Sequence, residues 1–354
     1  MTGIRTAPTA VAGDWLGADL SADPEQWRLP VPRQVADELL VLARDSLDKA
    51  AEKFPDAPLP GAGPATRALA GQVHRRLAGF PGFVQLTGFP VNADFELVEA
   101  AYSLFGRLIG PPVSQTRAGN LIARVEDQGA KIAVPTQRGH HSSSALAFHA
   151  DRTDVIGLLC IRAAAEGGHS QLVSSKALHN LALRERPDLL AVLYEPFPHD
   201  QRGEAPPGRP GWCELPVFSR FAGDFAARYV RRFVEGSQRH ARAPRLTAEQ
   251  VAAMDFMDEL LHRHGVALQM ELQPGDIQWI NNFHILHSRS AFRDAAGPDG
   301  GRLLLRLWLS FAGSPALPPE YADMYGSTEG GAYRGGVCAT GAGPTWATER
   351  GDHE

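Results

Sequence analysis

The chain has 354 residues, of which 44% are hydrophobic, and it carries a formal net charge of −5 at pH 7. This length and apolar content are enough for the core of one large domain or two ordinary ones. Acidic and basic residues are interspersed, and no apolar run is long enough to cross a bilayer, so the sequence predicts neither a nucleic-acid partner nor a membrane partner.

The cysteines are few and scattered: Cys160, Cys213 and Cys338. An odd number without close spacing is poor material for a disulfide framework or a zinc knuckle. The first twelve residues also lack the charged and then apolar layout of a secretion signal. We therefore expect a reduced, cytoplasmic protein. The sequence leaves the oligomeric state open.

The first third of the chain predicts helices around one strand. Apolar residues recur at helical spacing over residues 35–52 and 65–77. A short strand is predicted over residues 83–87, followed by a helix over 94–105. Before them, residues 1–30 are rich in Gly, Pro, Ala and Thr and predict an irregular N-terminal arm.

From residue 119 the pattern changes to short apolar runs bounded by glycine, proline or charge, which predict strands. These runs are residues 121–125, 145–149, 155–161, 170–173, 215–221, 224–233, 266–272, 276–280, 284–291 and 303–311. Helices are predicted at 175–184 and 247–264, the second with Thr247 as its cap and Gln250 three residues later. Residues 313–354 predict an irregular tail.

The order of these elements predicts an α+β fold. Many short strands, with helices in front of them and inserted between them, favour a double-stranded β-helix (jelly-roll) core in a single domain over residues 31–312. A parallel α/β sheet is disfavoured because the strands do not alternate regularly with helices.

Three residues are candidate metal ligands: His149, Asp151 and, far downstream, His287. Residues i and i+2 of a strand point to the same face, so His149 and Asp151 can aim at one point. Two imidazoles and one carboxylate can occupy one face of a ferrous ion and leave the other face open for oxygen and a co-substrate. An isolated His-x-Asp is more often a hydrogen-bonded histidine beside a surface aspartate, so the assignment depends on the motifs around it.

Those motifs form an ordered set along the chain. They are Gly82-Phe83-Val84-Gln85-Leu86-Thr87-Gly88-Phe89, His149-Ala150-Asp151, Gly167-Gly168-His169-Ser170, Pro274-Gly275-Asp276, Asn281-Asn282-Phe283, His287-Ser288-Arg289 and Arg302-x-x-x-Arg306. Over about residues 83–311 the chain resembles the taurine dioxygenase (TauD/TfdA-like) group of Fe(II)- and 2-oxoglutarate-dependent oxygenases. It resembles, more loosely, the clavaminate synthase-like enzymes.

The resemblance implies that Fe(II) binds to the two histidines and the aspartate, with 2-oxoglutarate and O2 as co-substrates. It implies that Arg302 holds the far carboxylate of 2-oxoglutarate through two parallel hydrogen bonds. Ser170 stands where relatives place a Thr or Ser hydroxyl that bonds the same carboxylate. The alternatives are a surface arginine at a strand start and a turn serine.

Arg306 follows Arg302 by four residues and faces the same side if both lie on one strand. In relatives the matching arginine can contact the acidic group of the substrate. A second contact to 2-oxoglutarate, or a structural ion pair, remains open for Arg306.

Several polar segments have open roles. Asn281 and Asn282 could orient the ligands or shape a turn. The run at residues 140–144 could be a lid or a solvated loop, and residues 195–212 are long enough to shape a pocket. His262, at a helix end, is expected on the surface.

The resemblance implies an oxygenase that hydroxylates an unactivated carbon of a small carboxylate-bearing molecule, either an amino acid or a natural-product intermediate. Desaturation, epoxidation and cyclisation use the same kind of site and stay open. Related halogenases replace the ligating carboxylate by a small residue, so Asp151 argues against halogenation. Alternatives of other classes are a non-catalytic jelly-roll binding protein and a hydrolase or isomerase with another metal.

Overall fold

The computed structural model describes residues 9–48, 61–129, 142–205, 208–297 and 300–337. The helices in these ranges are α1 (Gly17–Ser21), α2 (Arg33–Asp48), α3 (Pro64–Ala78), α4 (Phe95–Ile109), α5 (Ser175–Glu185), α6 (Pro187–Leu193), α7 (Arg231–Gly236), α8 (Ala248–His262) and α9 (Ala322–Tyr325). None of the described helices combines the length and the apolar character that a bilayer crossing requires.

Strands make up the remainder of the regular structure in the same ranges. They are β1 (Arg28–Pro30), β2 (Phe83–Thr87), β3 (Ile122–Val125), β4 (Leu146–His149), β5 (Val155–Arg162), β6 (Glu166–Gly167), β7 (Ser170–Ser174), β8 (Phe197–Asp200), β9 (Trp212–Leu215), β10 (Phe218–Phe221), β11 (Asp224–Ala227), β12 (Leu268–Met270), β13 (Ile277–Asn281), β14 (Ile285–Arg289), β15 (Phe292–Arg293) and β16 (Leu303–Leu309). The predicted α+β class is confirmed.

The larger sheet has six strands in the order β1-β2-β13-β5-β16-β3. Strand β1 runs parallel to β2, and the other neighbours are antiparallel. The prediction of an irregular N-terminal arm is therefore wrong for residues 17–30, which contain α1 and β1. Gly- and Pro-rich composition does not reveal that an edge of a distant strand will accept an extra partner.

The smaller sheet has the order β12-β7-β14-β4. Side chains of both sheets form one buried cluster, with Ile156, Ile280 and Leu304 from the larger sheet and Leu172 and Ile285 from the smaller one. The two sheets therefore pack face to face over a shared core. Within the smaller sheet β4 pairs with β14, so an early and a late segment of the chain become neighbours.

Helices cover the outer faces of the sheets. Helices α2, α3 and α4 pack with Trp279 and Leu305 of the larger sheet, while α5, α6 and α8 pack with Phe148 and Leu286 of the smaller one. Helix α8 begins with the predicted capping box, in which the Thr247 side chain accepts from the backbone N–H of Gln250.

One predicted element changes type. The apolar run 224–233 was expected to be a single strand, but β11 ends at Ala227 and α7 begins at Arg231. Strand β11 pairs only with the four residues of β10, so the ladder stops where its partner stops. A short buried apolar run cannot be assigned to strand or helix by periodicity alone. The start of α7 places Arg231 and Arg232 at the cavity described next.

Candidate metal centre and its cavity

The three predicted ligands lie together at one end of the smaller sheet. His149 on β4 and His287 on β14 are direct partners in the antiparallel ladder, with ring centroids 4.3 Å apart. Asp151 follows the end of β4, and its Oδ1 lies 3.9 Å from Nε2 of His149. One ligand atom from each residue falls within 4.8 Å of the other two. The strand pairing therefore brings all three side chains to one point.

Burial favours the uncharged form of both histidines. Burial lowers the pKa of His149, against the opposing charge of Asp151. Burial also lowers the pKa of His287 to about 3. The Nδ1 atom of His149 donates to the carbonyl oxygen of Ala147 over 2.8 Å, which fixes the tautomer and leaves the lone pair on Nε2. Neutral imidazole is the form in which histidine binds a metal.

Asp151 is held by its neighbours in the charged form. The Oδ2 atom accepts a hydrogen bond from Nε1 of Trp308 at 3.1 Å and contacts Nη1 of Arg306 at 3.4 Å. Burial alone would raise the pKa of this carboxyl, but the charge of Arg306 and the hydrogen bond from the Trp308 indole hold the pKa below its usual value. The backbone of Asp151 is fixed as well, by Asn282 Oδ1 at 3.2 Å and Arg228 Nη1 at 3.1 Å.

This donor set fits a ferrous ion. Two neutral ring nitrogens and one carboxylate give a facial triad with open positions, which suits non-heme iron. In addition, the buried Nδ1 atom of His287 has no hydrogen-bond partner among the described residues.

The triad borders a cavity of about 340 Å³, which suits a small molecule. The other sequence-predicted site residues line the same cavity: Ser170, Arg302 and Arg306. Residues 200–202 and Glu204, from the predicted pocket-shaping segment 195–212, contribute to its wall. In the run 140–144, His140 and His141 lie outside the described residues.

Arg302 and Ser170 occupy one side of the cavity. The Ser170 hydroxyl, on β7, bonds the side-chain amide of Gln278 at 3.0 Å. Burial lowers the pKa of Arg302, and its Nη1 atom has no acceptor among the described residues. Gly168 leaves room for this arginine. The φ of Gly168 is +71°, and a Cβ added to Gly168 would lie 3.1 Å from Nε of Arg302.

Arg306, on β16, makes contacts that the sequence did not specify. Its Nε donates to Oε1 of Gln115 over 2.7 Å, and the amide of Gln115 donates back to the carbonyl oxygen of Arg306. The guanidinium also lies 4.8 Å from the ring centre of Trp308. These contacts, with that to Asp151, fix the arginine beside the candidate metal ligand.

Sequence reasoning missed several cavity residues. Trp308 lies two residues after Arg306, so strand alternation was a signal that could have found it. Arg289 and Arg232 line the cavity, and the charge of Arg232 reaches His149. Arg289 stands in the His287-Ser288-Arg289 motif, but no role was assigned to it, and no local pattern marked Arg232. His262 is exposed as expected, but it also lines the cavity.

The chain is similar to several known proteins. The model of the family described as "Taurine catabolism dioxygenase TauD, TfdA family" matches residues 45–308. The chain is 28% identical over 335 residues to the FR-33289 synthase of Streptomyces rubellomurinus, covering 90% of this chain and 95% of that protein.

Two solved structures share the fold. One is an asparagine oxygenase in complex with Fe(II), 2S,3S-3-hydroxyasparagine and succinate, with a TM-score of 0.59 and 19% identity, covering 80% of this chain and 93% of that one. The other is the non-heme iron oxygenase OrfP in complex with Fe and alpha-ketoglutaric acid, with a TM-score of 0.57, 17% identity and the same coverage.

Proposed function

The chain belongs to the taurine catabolism dioxygenase TauD, TfdA family, and on that premise we propose that it is a non-heme Fe(II)- and 2-oxoglutarate-dependent dioxygenase. Its reaction is hydroxylation of an unactivated carbon in a small carboxylate-bearing molecule, an amino acid or a natural-product intermediate. The observation that carries the proposal is the convergence of His149, Asp151 and His287 to within 4.8 Å at the edge of an arginine-lined cavity.

His149, Asp151 and His287 are the proposed iron ligands and the catalytic centre. Bound iron and 2-oxoglutarate supply the oxidising chemistry, and the protein positions them. Since Arg306 and Trp308 engage Oδ2 of Asp151, the other carboxylate oxygen is left to face His149 and the metal. Because burial disfavours the charged form of both histidines, they can present lone pairs without first losing a proton.

Arg302 and Ser170 are the proposed binding residues for 2-oxoglutarate. A buried guanidinium with an unpartnered Nη1 atom suits a carboxylate, which accepts two parallel hydrogen bonds from an arginine. The Ser170 hydroxyl lines the same cavity and can donate to the same carboxylate. The OrfP structure, solved with Fe and alpha-ketoglutaric acid, supports this co-substrate.

We propose that Arg306 binds the acidic group of the substrate. Its guanidinium lines the cavity beside Asp151, so an acid bound there would lie next to the metal. Arg232 adds a second positive charge, which is close enough to lower the pKa of His149. A free amino acid suits such a site, and the asparagine oxygenase, solved in complex with 2S,3S-3-hydroxyasparagine, supports that substrate class.

The same chemistry could end in desaturation, epoxidation or cyclisation, and the product decides among these outcomes. We further infer that the two facing sheets form a jelly roll and that residues 31–312 form one oxygenase domain. We also propose a cytoplasmic location, which suits the buried free thiols of Cys160 and Cys213.

The test is succinate release. The protein, loaded with Fe(II), is incubated with 2-oxoglutarate, O2 and a panel of amino acids and other small acids. We expect one acid to stimulate succinate release and to gain one oxygen atom by mass. The Asp151→Ala variant should lose this turnover, because the metal loses its only carboxylate ligand. The exposed Asp188→Ala variant should keep it.

A second measurement separates the enzyme from a binding protein of the same shape. Anaerobic addition of Fe(II) and then 2-oxoglutarate should give the weak visible charge-transfer band of a chelated keto acid. No band, together with no succinate from any acid, would favour the non-catalytic alternative.

A further inference from the structure

Arg289 is a further arginine of the cavity wall, and it lies near both Ser170 and Arg302. It is the direct ladder partner of Ser170 across β14 and β7. It is also the second residue after His287, so strand alternation sends both side chains to the same face. Arg289, Ser170 and Arg302 all line the cavity.

Arg289 and Arg302 are neighbouring cations. Both guanidiniums lie over the ring of Phe292, with Cζ 4.6 Å from the ring centre for Arg289 and 5.2 Å for Arg302. Both side chains are buried, with 7% and 6% of their surface exposed. Two like charges in so enclosed a place are unfavourable unless an anion offsets them.

Several N–H donors of Arg289 and Arg302 have no hydrogen-bond acceptor among the described residues. Nη2 of Arg289 donates to the carbonyl oxygens of Ser142 and Ser144. In contrast, Nε and Nη1 of Arg289 and Nη1 of Arg302 are buried with no acceptor. The nearby Asp294 uses its carboxylate on the backbone N–H of Arg302. Buried donors without acceptors are rare in folded proteins and point to a missing partner.

We propose that Arg289 is a second cationic anchor for the far carboxylate of the co-acid, which therefore binds between Arg289 and Arg302 beside Ser170. This inference rests on the proposed function. A carboxylate has about four lone-pair positions, enough for both guanidiniums and a hydroxyl. The hydrogen bonds from Nη2 of Arg289 to two carbonyl oxygens fix the orientation of the guanidinium. The other two nitrogen atoms, Nε and Nη1, therefore point in set directions before the co-acid binds. The pair selects keto acids that carry a second carboxylate.

The test is equilibrium binding, without turnover. Calorimetric titration of the Fe(II)-loaded protein under anaerobic conditions compares 2-oxoglutarate with 2-oxopentanoate, which lacks the far carboxylate. The Arg289→Gln variant should raise the Kd of 2-oxoglutarate about 10- to 100-fold, the usual range for hydrogen bonds to charged groups. The Kd of 2-oxopentanoate should stay within about twofold.

Three further variants sharpen the result. Arg293→Gln, an exposed arginine paired with Glu166, should bind both acids as the parent does. Arg289→Lys keeps the positive charge but loses the planar guanidinium that binds a carboxylate at two points. Its Kd for 2-oxoglutarate should therefore lie between those of the parent and Arg289→Gln. If Arg289→Gln does not fold, Arg289→Lys takes its place in the titration. Arg302→Gln should weaken 2-oxoglutarate in the same selective way.

The outcomes are distinguishable. An unchanged Kd for 2-oxoglutarate in Arg289→Gln, or an equal loss for both keto acids, overturns the role of Arg289. If Arg302→Gln still weakens 2-oxoglutarate, the proposed function survives that result. If the parent protein binds no 2-oxoglutarate, the proposed function fails and this inference fails with it.

Discussion

The indole Nε1 of Trp308 lies 3.1 Å from Oδ2 of Asp151 and donates a hydrogen bond to it. Arg306 contacts the same oxygen at 3.4 Å, so the orientation of the carboxylate is set by two partners. Groups of this kind hold metal ligands in place, and their loss typically costs 10- to 100-fold in metal affinity or activity.

Replacing Trp308 should therefore weaken metal binding. We expect Trp308→Phe to lower the affinity for Fe(II), or for Mn(II) as a stable substitute, by about 10-fold, because Asp151 loses a donor. Anaerobic equilibrium dialysis measures this. Trp279→Phe is the matched control, since its buried indole N–H has no acceptor among the described residues. Equal losses in both variants would mean that side-chain volume, and not the hydrogen bond, is responsible.

Replacing Arg306 should affect the substrate more than the metal. Arg306→Lys keeps a positive charge near Asp151 but removes the planar fork that binds a carboxylate on two points. We expect the KM of the acidic substrate to rise about 10-fold, while metal affinity changes little. Steady-state kinetics and metal dialysis measure the two effects. Weaker metal binding with an unchanged KM would make Arg306 a positioning residue for Asp151 alone.

Gly168 should be needed for the position of Arg302. In Gly168→Ala the new Cβ would lie 3.1 Å from Nε of Arg302, so we expect weaker 2-oxoglutarate binding. Gly223→Ala is the matched control, because Gly223 also has a positive φ but no neighbour within 4 Å of the added carbon. Both variants should lose some stability from backbone strain. Only Gly168→Ala should raise the Kd of 2-oxoglutarate in anaerobic titration, and an equal Kd for both would contradict the steric argument.

A buried ion pair joins the loop that carries Asp151 to Arg334. Nε of Arg334 lies 2.8 Å from Oδ1 of Asp154, and both side chains are fully buried. Arg334→Met leaves the carboxylate without its counter-charge, and we expect the free energy of unfolding to fall by about 3–5 kcal/mol. Urea denaturation measures the change.

The double variant Asp154→Asn/Arg334→Met tests the coupling of this pair. Removing both charges should cost less than the sum of the two single changes, because no unpaired charge remains. Strict additivity would show that the two side chains act independently.

Buried histidines should make stability depend on pH. Burial, helped by the charge of Arg228, lowers the pKa of His199 to about 3, and burial lowers the pKa of His284 to about 3. Their unfolded values lie near 6.5. Between these values the unfolded chain binds more protons, so stability is complete above about pH 6.5 and is lost as the pH falls toward 3.

The expected slope is up to about 1.4 kcal/mol per pH unit for each such histidine. Urea denaturation of the metal-free protein from pH 7 to pH 4.5 measures it. His199→Gln cannot titrate and should have a shallower slope. If the parent and the variant have parallel curves, His199 does not contribute to the pH dependence.

Much of the fold and the site could be predicted from local patterns. Strand β2 and helices α5 and α8 were predicted within two residues of their bounds, because apolar periodicity and caps act over a few residues. The candidate ligands could also be named from the sequence, through the His-x-Asp pair and the motif at His287, although Asp151 lies just beyond the end of β4 and not on the strand.

The local patterns failed where a neighbour decided the outcome. Strand β11 stops after four residues because its partner β10 is that short, and β1 forms only because the edge of β2 is available. Neither outcome can be predicted from the residues of the segment itself.

By itself the sequence determined the candidate metal ligands, because residue chemistry and the order of motifs can be read along the chain, and the resemblance to a family added Arg302 and Ser170 as candidates for binding a diacid. Only the tertiary structure decided that His287 pairs with His149, that Arg306 contacts Asp151, and that Arg289 and Arg302 share the ring of Phe292. Those relationships depend on the register between strands far apart in the chain, and that register is set by how the two sheets pack over their common core.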